Sequence, residues 1–143
     1  MKVLVCDDEE LMLRAMCHEL RGGGYEVITA SDGFEAMNKL SGEHPDVVIS
    51  DIAMPFLSGL ELLNYMKSTF NSSYAVLLVS ALGRTEVIRT AMQLGADGFI
   101  TKPFPKGELL LKLKEVLERK KKLLSNGEVK KRKGRRKKTI LSQ

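Results

Sequence analysis

The chain has 143 residues, 43% of them hydrophobic, and a formal net charge of +5, which is room for one core and no second domain of usual size. No apolar stretch approaches the roughly 20 residues of a membrane helix, the first residues lack the pattern of a secretory signal, and Cys6 and Cys17 have neither metal-ligand spacing nor a disulfide framework. A membrane protein, a secreted disulfide scaffold and a thiolate metal centre are thereby set aside, and a cytoplasmic domain with two reduced thiols is expected. The charge is split: residues 119–143 hold twelve Lys/Arg and one Glu, net +11, leaving 11 Lys/Arg against 17 Asp/Glu in residues 1–118, net −6.

In chain order, Val3 to Cys6 is a short β-branched run and reads as a strand. Helix one follows, with Leu11, Met12, Ala15, Met16 and Leu20 at helical spacing, and Gly22, Gly23 and Gly24 end it. Strand two is Tyr25 to Thr29. Asp32 with Glu35 reads as a capping box for helix two, whose inward residues are Ala36, Met37 and Leu40. His44, Pro45 and Asp46 turn into strand three, Val47 to Ile49. A loop, Ile52 to Leu57, precedes helix three, capped by Ser58 and Glu61 with Leu63, Met66 and Phe70 facing in. A polar turn at Asn71 to Ser73 leads to strand four, Val76 to Val79. Helix four carries Val87, Ile88, Ala91 and Leu94, Gly95 stops it, and Gly98 to Thr101 is strand five. Pro103 and Pro105 read as the start of helix five, where Leu109, Leu113, Val116 and Leu117 repeat on one face and Leu123 with Leu124 continue it before Ser125-Asn126-Gly127 breaks it.

Five strands alternating with five helices imply an α/β doubly wound parallel sheet, in which the chain leaves every strand at the same edge. Asp7 with Asp8, Asp51, Ser80 and Lys102 each sit directly behind a strand, so they converge on the crevice where open α/β sheets bind ligands. Three carboxylates close together resist full ionisation unless a cation sits among them, and their hard oxygens select Mg²⁺ or Mn²⁺. A flavin site is disfavoured because the loop after strand one is Asp7-Asp8-Glu9-Glu10, which repels an anionic cofactor. The glycines at 22–24 lack the Lys-Ser/Thr of a nucleotide loop, and the adjacent Asp7 and Asp8 are not the Asp-x-Asp of a dehalogenase-type phosphatase. His18 and His44 have no sequence partners that suggest catalysis.

Val3-Leu4-Val5-Cys6-Asp7-Asp8-Glu9, Ile49-Ser50-Asp51-Ile52-Ala53-Met54-Pro55, Leu78-Val79-Ser80-Ala81 and Ile100-Thr101-Lys102-Pro103-Phe104 together resemble the receiver domain of bacterial two-component response regulators. The resemblance spans residues 1–120 or so. It implies a flavodoxin-like sheet of order 2-1-3-4-5, Asp51 as acceptor of a phosphoryl group from a sensor-kinase phosphohistidine, and metal ligation by Asp8, Asp51 and the Ala53 carbonyl, with Asp7 acting through water. It further implies that Lys102 and Ser80 meet the phosphoryl group, that the Lys102–Pro103 bond is cis, and that Ser80 and Phe99 form a switch read out on helix four, strand five and helix five. Such a protein is a phosphoacceptor rather than an enzyme, with only self-catalysed transfer and slow self-dephosphorylation. The expected partners are a sensor histidine kinase or phosphotransfer protein, a downstream protein and a second copy of the chain.

The expected organisation is a receiver at 1–124 with an extended last helix, then a basic, disordered tail at 125–143. With no output domain after helix five, a stand-alone receiver is expected over the front part of a longer transcription factor. Lys130 to Lys138 carries eight positive charges and no aromatic residue, so a second reading is weak nucleic-acid binding by the tail. A solvated tail, a contact with an acidic protein and a fold back onto the acidic crevice are the competing readings.

Overall fold

The computed structural model describes residues 1–70 and 74–141, with side-chain detail through residue 123 and at Ser125. Strands β1 (Lys2–Cys6), β2 (Glu26–Ala30), β3 (Val47–Asp51), β4 (Ala75–Ser80) and β5 (Gly98–Thr101) alternate with α1 (Glu10–Gly22), α2 (Gly33–Glu43), α3 (Gly59–Phe70), α4 (Thr85–Gln93) and α5 (Glu108–Leu141). The sheet is parallel throughout and ordered β2-β1-β3-β4-β5. β3 and β4 are buried along their whole length, as expected for parallel strands covered on both faces.

Strand periodicity divides the core into two layers. Val3, Val5, Val47, Ile49, Leu77 and Val79 face α1 and α5, where they meet Met16, Leu20, Leu109, Leu113 and Val116. Leu4, Cys6, Val48, Val76 and Leu78 face α2, α3 and α4, and pack on Ala36, Leu40, Leu62, Leu63, Met66 and Ala91. The caps form where the sequence places them. Asp32 accepts from the Glu35 amide at 2.8 Å, and Ser58 and Glu61 exchange both bonds of a capping box, at 3.1 and 3.3 Å.

Some expectations are corrected. Leu11 and Ala15 share the helical spacing of α1 without sharing its burial: Leu11 is 78% exposed and Ala15 is exposed, because the buried stripe runs through Met16, Cys17 and Leu20 and these two lie on its flank. β2 starts and ends one residue later than read, with Tyr25 as connector. Helix α5 starts at Glu108 rather than at the prolines, whereas the Lys102–Pro103 peptide is cis as the resemblance implies. The turn at Asn71–Ser73 lies outside the described residues. α5 continues through Ser125-Asn126-Gly127 to Leu141, where a break was expected. Each of the two interior glycines, Gly127 and Gly134, costs only about 1 kcal/mol of helix stability, and the rest of the segment is rich in strong helix formers (Leu, Lys, Arg and Glu).

Candidate functional site

At the carboxyl edge of the sheet, β1 delivers Asp7 and Asp8, β3 delivers Asp51, β4 delivers Ser80, and Lys102 follows β5. Register makes them neighbours: Asp51 pairs with Val79, and Ser80 with Thr101. The Lys102 amide donates to the Ser80 carbonyl at 2.9 Å, which fixes the backbone from which the lysine reaches inward. Its Nζ lies 2.8 Å from Asp7 Oδ2 and 3.1 Å from Asp51 Oδ2, and all three side chains are at most 11% exposed. Asp8 is exposed at the rim. One carboxylate oxygen from each of Asp7, Asp8 and Asp51 lies within 4.8 Å of the others.

The remaining oxygens of the buried acids are held by backbone. Asp7 Oδ1 accepts from the Glu9 amide at 2.9 Å, so Asp7 also ties down the entry to α1, whose N-cap Glu9 makes no side-chain cap of its own. Asp51 Oδ1 accepts from the Ala53 amide at 3.3 Å. Burial pushes the Asp51 carboxyl above its ordinary value; the hydrogen bond and charge of Lys102 oppose that shift and the charge of Asp7 adds to it. For Lys102, burial alone favours the neutral amine, but the hydrogen bonds and charges of Asp7 and Asp51 outweigh it and hold the ammonium above its ordinary range.

Three carboxylates facing one ammonium leave two negative charges uncompensated when all are ionised, which is the charge of one divalent cation. The donors are all hard carboxylate oxygens, one exposed and two anchored, as Mg²⁺ or Mn²⁺ requires and as softer metals do not. Asp7, Asp8 and Asp51 therefore form a divalent-cation site.

Ser80 is buried, and its Oγ accepts from the Leu82 amide at 3.0 Å. Phe99 is half-buried, packed against the layer under α4. Two features of the site carried no sequence signal. A Cβ on Gly59 would lie 2.2 Å from the Asp51 carbonyl oxygen, so only glycine lets the start of α3 pass so close behind Asp51; in the sequence Gly59 is merely the residue after a cap. Phe56, exposed and at φ 70°, stacks on exposed Phe34 with ring centroids 5.7 Å apart, a pairing across 22 positions that periodicity does not encode.

A doubly wound sheet whose carboxyl edge gathers three acids and a lysine defines a metal-dependent phosphoryl-acceptor pocket rather than a nucleotide or flavin cradle. The chain belongs to the response regulator receiver domain family, which matches residues 3–114. It is 36% identical over 118 residues to the alkaline phosphatase synthesis transcriptional regulatory protein PhoP of Bacillus subtilis, covering 82% of this chain and 49% of that protein. To a probable transcriptional regulator, ycf27, of Guillardia theta it is 40% identical over 118 residues, covering 82% and 46%. The chain thus spans about half the length of these curated relatives. The solved chemotaxis response regulator CheY4 of Vibrio cholerae superposes with a TM-score of 0.74 at 35% identity, covering 80% of this chain and 97% of that one. Membership makes this chain a phosphoacceptor receiver domain. No helix among the described residues is long and apolar enough to cross a membrane.

Proposed function

We propose that Asp51 is the phosphoacceptor and that the chain is a receiver charged by the phosphohistidine of a sensor kinase or phosphotransfer protein. The observation that carries this is Lys102 Nζ bridging Asp7 and Asp51 at 2.8 and 3.1 Å inside the three-carboxylate cluster. A carboxylate oxygen of Asp51 forms a bond to phosphorus as the bond from phosphorus to the donor nitrogen breaks, and the nitrogen keeps the electron pair. Lys102 is placed to neutralise charge on the transferring group, and the Ser80 hydroxyl to donate to one of its oxygens. Asp8, Asp51 and the Ala53 carbonyl are the metal ligands of this reading, with Asp7 orienting bound water and anchoring Lys102. Mg²⁺ or Mn²⁺, when bound, supplies electrostatic neutralisation of the phosphoryl oxygens.

The readout surface of this reading is α4, β5 and α5. α4 buries only Ala91 fully and has no side-chain N-cap, which makes it an element with little holding it in one position. Phe99, neither sealed in the core nor free, is the residue whose packing changes when Ser80 moves toward the phosphoryl group. The partner on that surface is a downstream protein or a second copy of the chain, and the compartment is the cytoplasm. The division into a receiver at 1–124 and a basic segment at 125–143 belongs to the same reading.

The test is incubation with acetyl phosphate and Mg²⁺, followed by intact mass measurement. One phosphoryl group per chain, labile as an acyl phosphate is and absent when a chelator is present, is the expected result. Labelling that persists in chelator would overturn the metal-dependent mechanism.

A further inference from the structure

We propose that the C-terminal part of α5 is a duplex-DNA-binding arm. Helix α5 follows Lys102 in the chain and runs back along the sheet. By Arg119 and Lys120 it has reached the opposite, amino edge: the Arg119 guanidinium donates to the Asp97 carbonyl at 3.0 Å, Lys120 pairs with the Asp97 carboxylate at 3.3 Å, and that carboxylate caps the Val76 amide at the start of β4. From that point the helix continues to Leu141, and residues 121–141 span about 30 Å at 1.5 Å per residue, close to one turn of a duplex.

The charge is arranged to match. Arg119 and Lys120 are engaged by Asp97, so the arm proper carries Lys121, Lys122 and the eight Lys/Arg of residues 130–138, against Glu128 alone. The net −6 of residues 1–118 would repel a polyanion, but the site that concentrates acids lies at the carboxyl edge and the arm leaves from the amino edge. A continuous α5 thus carries the basic run away from the acidic crevice rather than back onto it.

Sequence chemistry selects among polyanions. The arm has no Phe, Tyr or Trp, so it lacks the stacking that single strands require. Its apolar residues, Leu123, Leu124, Val129, Ile140 and Leu141, never recur at three- or four-residue spacing, so it has no apolar face for a lipid surface. A helix dense in one sign of charge repels itself, and phosphates lining a groove relieve that repulsion. The contacts go to the backbone, so binding is independent of sequence and strongly salt-dependent.

The experiment compares the full chain with a variant in which Lys130, Lys131, Arg132, Lys133, Arg135, Arg136, Lys137 and Lys138 are all replaced by Gln, using a mixed-sequence DNA duplex as probe. The wild type is expected to bind with a log–log salt slope near −5, for about six phosphates engaged. The variant should bind at least ~100-fold more weakly yet accept phosphoryl from acetyl phosphate at the wild-type rate, which separates this proposal from the receiver reading. No binding at low salt, equal binding by both proteins, or equal affinity for polyglutamate or anionic vesicles would overturn it.

Discussion

At Asp51 two opposing forces set the charge: burial favours the protonated acid and Lys102 favours the carboxylate, with burial prevailing. An acid whose folded value is raised holds its proton to higher pH in the native state than in the unfolded one, so its contribution to stability falls as pH rises through that window. Without metal, Asp51→Asn is therefore expected to be more stable than wild type at neutral pH, with the difference shrinking as pH drops below the ordinary aspartate range; urea unfolding in chelator measures this. Lys102 behaves in the opposite sense. Its raised value means that its stabilisation is present at neutral pH and is lost only in alkali. Lys102→Ala leaves the fully buried Asp7 without its cation, at a cost on the order of 3 kcal/mol, and Mg²⁺ should restore part of that loss. A variant unfolding like wild type would show that Lys102 does not hold the acids. The identities of Asp7, Asp8, Asp51 and Lys102 were legible in the sequence because each ends a strand. The sharing of one ammonium by Asp7 and Asp51 was not, since it depends on side-chain reach across β1, β3 and β5.

Among the elements, α3 begins directly behind Asp51. Its capping box faces the loop after Asp51, and Gly59 presses against the Asp51 carbonyl. Gly59→Ala is expected to destabilise the fold by about 2 kcal/mol, since backbone must shift to admit the methyl group, and to slow phosphorylation with it. Ser58→Ala should cost about 1 kcal/mol through the lost cap and leave the labelling rate nearly intact; paired melting and labelling measurements separate the two. Helix existence was legible in every case because apolar residues recur at helical spacing, with side-chain caps adding to the signal in α2 and α3. Helix phase was less so: Leu11 is apolar and correctly spaced from Ala15, yet both sit outside the buried stripe, because an apolar residue beside a stripe satisfies the same periodicity. The start of α5 was misplaced for a similar reason, since proline is a good first helical residue and an equally good loop residue.

For the whole molecule, the strand order and the two-layer core follow from the alternation of short apolar runs with helical segments. The far end of α5 does not, because a Ser-Asn-Gly sequence is compatible with either a cap or a continued helix. Divalent-cation binding should couple directly to global stability, because the site ties β1 and β3 at one edge. At a free Mg²⁺ concentration 100 times Kd the gain is about 2.7 kcal/mol, read as a rise in Tm. Asp8→Ala should lose most of that gain while melting above wild type in chelator, since one repelling carboxylate is gone; an undiminished Mg²⁺ response in Asp8→Ala would place the cation elsewhere.

In the proposed reaction Asp51, held against Lys102 in the acidic cluster, is the carboxylate that takes the phosphoryl group. Peptide mapping after reaction with acetyl phosphate and Mg²⁺, run in parallel on wild type and Asp51→Asn, decides this assignment. The phosphoryl group should map to Asp51 in the wild type and be absent from the variant; stoichiometric labelling of Asp51→Asn, or a phosphoryl group on another residue of the wild type, would contradict it.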